Sequence, residues 1–206
     1  KNCKDDFEKV IELTKEIAQK LMEIKGEARG VVFKTDTEYI LKEKGEEGLK
    51  KVEEELKKLG YPIKFKETRT MDFYPVGLRA LSLLTIKKVF DFDDGKIKEM
   101  GKKAPKISTI IKLFMKYFLS LEKTIGQVSK MWEKHYTIGK LEAEVNEKER
   151  YIILRLKDFK IHPVLCKYLE EYFSSVTELI VGSPVTPEER RCDFKKDKFH
   201  EFLLTW

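Results

Sequence analysis

Apolar residues recur every three or four positions near the N-terminus, which is the spacing of an amphipathic helix. The run covers residues 7–24 and ends at Gly26, a residue that commonly follows a helix. We therefore predict a helical arm over residues 1–26 and a single domain over residues 27–206. Because few neighbours in sequence can cover the apolar stripe of the arm, it predicts a homodimer.

Three helices and one short strand are predicted between the arm and residue 90. The strand is expected at 30–34, and the helices at 35–44, at 46–59 and from Tyr74-Pro75 onward. The most hydrophobic helix of the chain is expected to start near Pro105 and Ser108 and to reach Leu121. Its apolar residues leave little polar surface, so this helix is predicted to lie at the centre of the domain.

In the C-terminal third the hydrophobic period changes from 3.6 to 2, which indicates strands. Alternating residues at 141–146 and 152–156 flank a polar turn and predict an antiparallel hairpin. A helix that starts at Pro163 follows, and two more strands are expected at 188–194 and 199–206. The predicted fold class is therefore α+β, with a helical half packed on an antiparallel sheet of about four strands.

Composition and charge narrow the classes of function. The chain has 206 residues, 42 Lys and Arg against 36 Asp and Glu, and a formal net charge of +6. Lysine and glutamate are interspersed and no recognition module is visible, so we expect no nucleic-acid partner. A phosphate-binding glycine loop and a nucleophile elbow are both missing, so we expect no enzyme. Without a signal peptide or an apolar run of about 18 residues, we expect no transmembrane segment and a cytoplasmic location.

Four potential metal ligands occur as two pairs in the C-terminal third. His162 and Cys166 are spaced like one helical turn, whereas Cys192 and His200 are spaced like a tight hairpin. Two such pairs on separate elements are a usual way to build a tetrahedral zinc site, and a closed site of this kind is structural. Two other interpretations stay open, namely core packing with His162 capping its helix and a disulfide between Cys166 and Cys192.

Three motifs carry a resemblance to a known superfamily: His135-Tyr136-x-x-Gly139-x-Leu141, His162-Pro163-x-x-Cys166-x-Tyr168-Leu169, and Cys192 followed by His200-x-Phe202-x-x-x-Trp206. The chain resembles the superfamily of 4-vinyl reductase domains, haem-based nitric-oxide sensors and TRAPP transport subunits, in an uncharacterised bacterial branch. The resemblance implies a buried apolar pocket, frequent dimerisation and ligand sensing rather than catalysis. The 4-vinyl reductase-type domains also imply zinc at the positions of Cys166, Cys192 and His200, with Glu188 or Glu189 as the substitute for His162.

The pocket that the resemblance implies would lie between the helices and the sheet. Its guest is predicted to be a fatty acyl chain or a similar hydrophobic small molecule, because few buried polar groups are available to orient a polar one. We predict a non-enzymatic sensor that signals through a dimer or a protein partner, and the alternative is an assembly protein with a filled core and no ligand. The candidate lining residues are Phe114, Tyr117, Phe118, Leu121, Trp132, Tyr136, Leu165, Leu169, Tyr172 and Phe173, with Lys112 or Lys116 at the mouth.

Haem is the other candidate ligand that the resemblance implies. The haem sensors resemble one another in a proximal histidine and a Tyr-x-Ser-x-Arg motif that holds the haem propionates. His135 is available as an axial ligand, but Val176 stands where the arginine is needed after Tyr172 and Ser174. Two buried carboxylates would then lack their strongest partner. We therefore expect that the protein does not bind haem, with a haem-based gas sensor as an alternative function.

Overall fold

The computed structural model of the protein describes residues 13–107 and 121–206. Within these residues, seven α-helices and six β-strands form an α+β arrangement, which confirms the predicted fold class. The helices are α1 (Lys15–Met22), α2 (Val31–Lys58), α3 (Val76–Val89), α4 (Asp94–Ile107), α5 (Leu121–Ile125), α6 (Val128–Glu133) and α7 (Pro163–Val181). The strands are β1 (Glu27–Arg29), β2 (Phe73–Pro75), β3 (Lys140–Asn146), β4 (Tyr151–Lys157), β5 (Thr186–Arg191) and β6 (His200–Thr205).

Four of the strands form an antiparallel sheet in the order β3-β4-β6-β5. Its register places apolar residues of neighbouring strands opposite each other, as Leu141 opposite Leu156 and Leu154 opposite Phe202. These residues form one buried face. The other face carries charges, where Arg155 donates hydrogen bonds to Glu144 and Glu201. A sheet with only one buried face has its register strongly specified by the period-2 pattern.

Helix α7 packs between the buried face of the sheet and helix α4. It ends at Gly182, whose φ of 71° is the left-handed conformation that favours glycine after a helix. On its sheet side, the Phe173 ring centroid lies 5.4 Å from that of Phe202. On its other side, α4 approaches so closely that Gly101 lies directly against the backbone of Tyr168. The position of α7 is therefore set by contacts on both sides.

Several predicted boundaries differ from the structure. The predicted strand at 30–34 is wrong, because β1 lies three residues earlier, pairs with β2 and is followed at once by α2. The two helices predicted at 35–44 and 46–59 are one continuous element with a break at Gly45. Pro105 does not start a helix, since it lies near the end of α4. The rest of the predicted hydrophobic helix, residues 108–120, lies outside the described residues.

The predicted N-terminal arm is described only from residue 13 onward. Helix α1 begins after Thr14, whose side-chain oxygen accepts a hydrogen bond from the Ile17 backbone N–H. Ala18 and Leu21 of this helix are buried, and the helix packs against α3 within the same chain. Dimerisation through the arm stays a prediction. Among the described helices, none combines the length and apolar character needed to cross a membrane.

Candidate functional site

A cavity of about 150 Å³ lies between α7, the sheet and the first turns of α2. Its described wall is apolar except for threonine hydroxyls, tyrosine rings and one imidazole, that of His135. Pockets for drug-sized ligands usually measure roughly 300–1,000 Å³. A guest of that size would therefore have to displace some of the side chains that line this cavity.

Six of the ten predicted pocket residues line this cavity, and one does not. The six are Leu121, Trp132, Tyr136, Leu169, Tyr172 and Phe173. Leu165 is instead 2% exposed within the core and is not part of the described wall, because it lies one turn before the cavity-facing part of α7. Phe114, Tyr117 and Phe118, with Lys112 and Lys116 at the predicted mouth, lie outside the described residues. The sequence pattern missed Val31, Val32 and Thr35 of α2. These residues also line the cavity, although they lie more than 80 positions before Leu121, the first of the six.

Aromatic contacts fix one wall of the cavity. The rings of Trp132 and Tyr136 are stacked with centroids 4.5 Å apart, and Phe159 meets both of them edge-on. The Trp132 indole N–H donates a hydrogen bond of 3.0 Å to the Ile138 carbonyl oxygen. Paired rings of this kind contribute about 0.5–1.5 kcal/mol beyond the area they bury. The wall that carries His135 is therefore well packed.

His135 is the imidazole in the cavity wall. Its Nδ1 lies 2.8 Å from the Met131 carbonyl oxygen, one turn earlier in the chain. Because a carbonyl oxygen only accepts, Nδ1 carries the proton and Nε2 keeps its lone pair. Burial lowers the pKa of His135 below its ordinary value, so the ring is neutral near pH 7. A neutral imidazole with this second hydrogen bond is the form in which histidine binds metals.

A buried ion pair lies directly behind the cavity wall. Arg79 of α3 donates a hydrogen bond to Asp36 of α2, and both side chains are almost completely buried. The guanidinium carbon also lies 4.6 Å from the centroid of the Tyr168 ring, which lines the cavity. Burial raises the pKa of Asp36, and the Arg79 charge opposes that effect. Through these contacts the ion pair links α2 and α3 to α7, which forms part of the cavity wall.

Two lysines of α4 are paired with a glutamate of α7. Lys102 and Lys106 form ion pairs with Glu178 at 3.7 Å and 3.1 Å. Glu178 follows Thr177, which is part of the cavity wall, but neither lysine belongs to the described wall.

A second site is formed by residues from three elements at the other end of α7. Cys166, Glu189, Cys192 and His200 each offer a ligand atom, and these four atoms all lie within 4.8 Å of one another. Cys166 is on α7, Glu189 is on β5, Cys192 follows β5, and His200 begins β6. The structure thus brings together three of the four residues that we predicted as metal ligands. Cys166 and Cys192 are not joined in a disulfide.

His162 does not belong to this cluster, in contrast to our prediction. It is the N-cap residue of α7, with extended φ and ψ of −160° and 143°, and its Nδ1 accepts a hydrogen bond of 3.1 Å from the Val164 N–H. The expectation that residues 162 and 166 share one face holds only if both are helical. Glu189, which we considered as a substitute, takes the fourth position instead.

We expect His162 to make folding stability depend on pH. Burial, followed by the Lys87 charge, lowers its pKa to about 4, with Asp94 opposing. As the pH falls through about 6.5, His162 binds a proton in the unfolded chain, whereas in the folded chain it does so only at lower pH. The free energy of unfolding is therefore highest above pH 6.5 and declines below it. The expected loss at pH 4.5 is about 2 kcal/mol.

The variant His162→Asn isolates this effect, because asparagine can still accept the capping hydrogen bond but cannot titrate. Urea unfolding of both proteins at pH 7.5 and pH 4.5 measures the difference. Equal losses of stability in the two proteins would show that His162 does not cause the pH dependence.

Comparison with known proteins gives matches in structure and none in sequence. The chain matches no protein-family model, and it matches no curated protein. It is similar to an H-NOX protein from S. oneidensis in the Fe(II)NO ligation state, with a TM-score of 0.64 and 10% identity over 85% of this chain and 97% of that chain. It is also similar to a doubly substituted Tt H-NOX, with a TM-score of 0.59 and 16% identity over 85% of this chain and 92% of that one.

A third similar structure is an Fe(II) unliganded H-NOX protein from K. algicida, with a TM-score of 0.57 and 11% identity over 86% of this chain and 95% of that chain. These structures bear on two expectations. The resemblance to haem-based nitric-oxide sensors is confirmed at the level of the fold, because the matches are to H-NOX domains, whereas the names 4-vinyl reductase and TRAPP are not confirmed. The expectation against haem is wrong for this fold, since its members include proteins with Fe(II) centres. At 10–16% identity, the likeness shows that this chain has the H-NOX fold.

Proposed function

We propose that the protein is a sensor domain that would hold a haem in the cavity beneath α7, with His135 as the residue that would bind the iron. The observation that carries this proposal is the neutral imidazole of His135 in an otherwise apolar cavity wall. The similar H-NOX structures, which include Fe(II) and Fe(II)NO states, support the choice of haem. A haem bound there would supply an iron able to bind a diatomic gas.

His135 is the residue that would bind the haem iron. The Met131 carbonyl holds the Nδ1 proton at 2.8 Å, which leaves Nε2 as the donor atom for iron. Acceptors of this kind orient a ligating histidine and raise its basicity, and their loss commonly reduces metal affinity by about 10- to 100-fold. Desolvation keeps the ring unprotonated by lowering its pKa, so a proton does not compete with iron near pH 7.

The described wall of the cavity offers no cation for the two haem carboxylates. Val176 lies on α7 in the cavity wall and cannot hold a carboxylate, so the arginine position of the haem sensors is apolar here. Lys102 and Lys106 of α4 are paired with Glu178 of α7, and they would have to exchange that glutamate for a haem carboxylate. Lysine makes a weaker and less directional contact with carboxylate than arginine does.

The remaining wall residues exclude water and fix the orientation of the imidazole. Trp132 and Tyr136, which flank His135 in sequence, stack on each other and hold the segment from α6 to β3 in place. Tyr172 and Phe173 close the wall from α7. Helix α7 also contacts the sheet. A ligand that displaces side chains of α7 would therefore move a helix that packs against other elements of the domain. This is the physical basis on which occupancy of the cavity would be signalled to a partner.

Reconstitution of the purified protein with haemin tests the proposal. The expected result is one haem per chain, with a Soret band that shifts when nitric oxide is added to the reduced protein. His135→Ala is expected to weaken haem binding by about 10- to 100-fold, because the iron loses its protein ligand. Absorbance titration gives the affinity, and added imidazole is expected to restore the spectrum by occupying the space of the missing ring.

His162→Asn is the matched control, because it removes a buried histidine that caps α7 and does not line the described cavity wall. This variant is expected to bind haem as the unaltered protein does. Haem affinity that is the same in His135→Ala and His162→Asn would overturn the assignment of His135.

A second candidate is a sensor for an apolar small molecule without haem, such as a fatty acyl chain. The observation that favours it is the wall itself, in which no described residue is a lysine or arginine and most are aliphatic or aromatic. Native mass spectrometry of protein purified without added haem distinguishes the two. A co-purifying lipid that is displaced by longer or shorter fatty acids, together with no haem binding, would favour this second function.

A further inference from the structure

We propose that Arg79 binds a carboxylate group of the ligand that fills the cavity beneath α7. The carboxylate would take the place of the Tyr168 ring, which the guanidinium now contacts. This inference rests on the function proposed above, because it concerns the ligand of the same cavity. It adds the chemical class of that ligand, an apolar molecule that carries at least one carboxylate.

Arg79 has unused hydrogen-bonding capacity in the interior of the protein. Its side chain is fully buried, and a guanidinium has several N–H groups to donate. One nitrogen, Nη1, donates to Asp36. Within the part of the chain that the structure describes, neither the Nε nor the Nη2 nitrogen of Arg79 has a hydrogen-bond partner. Because buried charged donors without an acceptor are costly, these two nitrogens favour an acceptor that arrives with a ligand.

The guanidinium lies directly behind the cavity wall. Its central carbon is 4.6 Å from the centroid of the Tyr168 ring, and Tyr168 lines the cavity. Tyr136 is a second wall residue close to this cation. Burial raises the pKa of both tyrosines, and the Arg79 charge opposes the rise. Tyr168 thus contacts both the cation and the cavity.

The size of the cavity explains how a ligand would reach Arg79. The cavity measures about 150 Å³, whereas pockets for drug-sized ligands usually measure roughly 300–1,000 Å³. A ligand of that size must displace side chains of the wall, and displacement of the Tyr168 ring would open the guanidinium to the cavity. A carboxylate can accept two parallel N–H bonds from one guanidinium, which is a stronger contact than that with an aromatic ring.

The surroundings of Arg79 favour a carboxylate on an apolar molecule. Most residues of the described wall are aliphatic or aromatic, which suits an apolar body. Asp36 already gives Arg79 one negative neighbour. A group with a single charge is therefore easier to accommodate than a phosphate, which carries nearly two. A planar carboxylate also matches the fork of a guanidinium. Haem and fatty acids both belong to this class of ligand.

Ligands with and without a free carboxylate test the inference. One pair of probes is haemin and haemin dimethyl ester, titrated by absorbance. The other pair is cis-parinaric acid and its methyl ester, titrated by fluorescence. For at least one pair, the unaltered protein is expected to bind the carboxylate form about 10- to 100-fold more tightly, because the ester loses hydrogen bonds between two charged groups.

Two variants are expected to change this preference in opposite directions. Arg79→Met combined with Asp36→Val removes both buried charges, and it should bind the carboxylate and ester forms with similar affinity. Asp36→Asn leaves Arg79 without a competing carboxylate, so it should bind the carboxylate form more tightly than the unaltered protein does. A merely structural role of the ion pair would weaken binding in both variants. Circular dichroism checks that each variant is folded.

The lysines of α4 provide the matched control, because they are the other cations close to a wall residue. Lys102→Met combined with Lys106→Met removes the two partners of Glu178, and this variant should keep the preference for the carboxylate form. It also decides the question if the variants of the buried pair do not fold. Loss of the preference in the lysine variant would overturn the assignment to Arg79.

The two pairs of probes separate this inference from the haem proposal. Haem binding with equal affinity for haemin and its ester would leave the haem proposal standing and overturn the carboxylate site. A preference for cis-parinaric acid that depends on Arg79, in a protein that binds neither form of haem, would support the carboxylate site and overturn the haem proposal. A protein that binds none of the four probes would overturn both.

Discussion

Replacing Arg79 by methionine is expected to lower the free energy of unfolding by about 3–5 kcal/mol, the largest effect of any single substitution that we predict. Arg79 and Asp36 are both almost fully buried and bonded to each other. Methionine is also a long side chain but carries no charge, so the Asp36 carboxyl would remain buried without its partner. Urea unfolding at pH 7 measures the loss.

The pH dependence of this variant carries additional information. Burial already raises the pKa of Asp36, and the Arg79 charge opposes the rise. Without Arg79 that opposition is gone, so the folded state holds a proton on Asp36 over a wider pH range than the unfolded state does. The variant's loss of stability should therefore be smaller at pH 5 than at pH 7.

Two controls separate the ion pair from general effects. Lys157→Met breaks an ion pair with Glu142 in which both side chains are exposed, and it should cost less than about 1 kcal/mol. The double variant Arg79→Met with Asp36→Val removes both buried charges, and it should be more stable than Arg79→Met alone. A double variant with the summed loss of the two single ones would contradict the interpretation.

Strands β3, β4 and β6 were predicted well because each has one buried face. In β3, β4 and β6 the alternation of apolar and polar residues reflects which side chains lie on the buried face of the sheet. Helix α4 was missed for the opposite reason. Its buried positions have helical spacing, but only Ile97 and Met100 among them are large apolar residues, and the others are Gly101, Ala104 and Pro105. A packing surface built partly by close backbone approach is therefore easily overlooked in a pattern of large apolar residues.

The candidate sites were predicted in part. Residue type and spacing identified Cys166, Cys192 and His200, which the fold brings together. The fourth position depends on which glutamate of β5 faces inward, and only the pairing with β6 fixes that. The cavity wall from α2 and the Arg79–Asp36 pair were not predicted, because charged and aliphatic residues are common along the chain and their proximity arises from tertiary contacts.

Gly101→Ala is expected to destabilise the protein by about 3 kcal/mol, at the upper end of the usual cost of overpacking. A Cβ atom at this position would lie 2.1 Å from the Tyr168 carbonyl oxygen, a backbone atom of α7 that cannot turn aside. The helices α4 and α7 would have to separate, and both line the cavity. Thermal and urea unfolding measure the loss, and haemin titration measures the effect on the cavity.

The direction of the stability change in Gly101→Ala distinguishes the effect of helix packing from the effect of helix propensity. Alanine is favoured over glycine inside a helix by about 1 kcal/mol, so a helical position without contacts would become more stable. Gly126→Ala, directly after α5, provides a comparison without crowding, because its Cβ would meet no other atom closer than 3.7 Å. A Gly101→Ala protein as stable as the Gly126→Ala protein would show that α4 and α7 are not held at this distance. A large loss of stability in Gly101→Ala alone would show that α4 and α7 are spaced so closely because residue 101 has no side chain beyond a hydrogen atom.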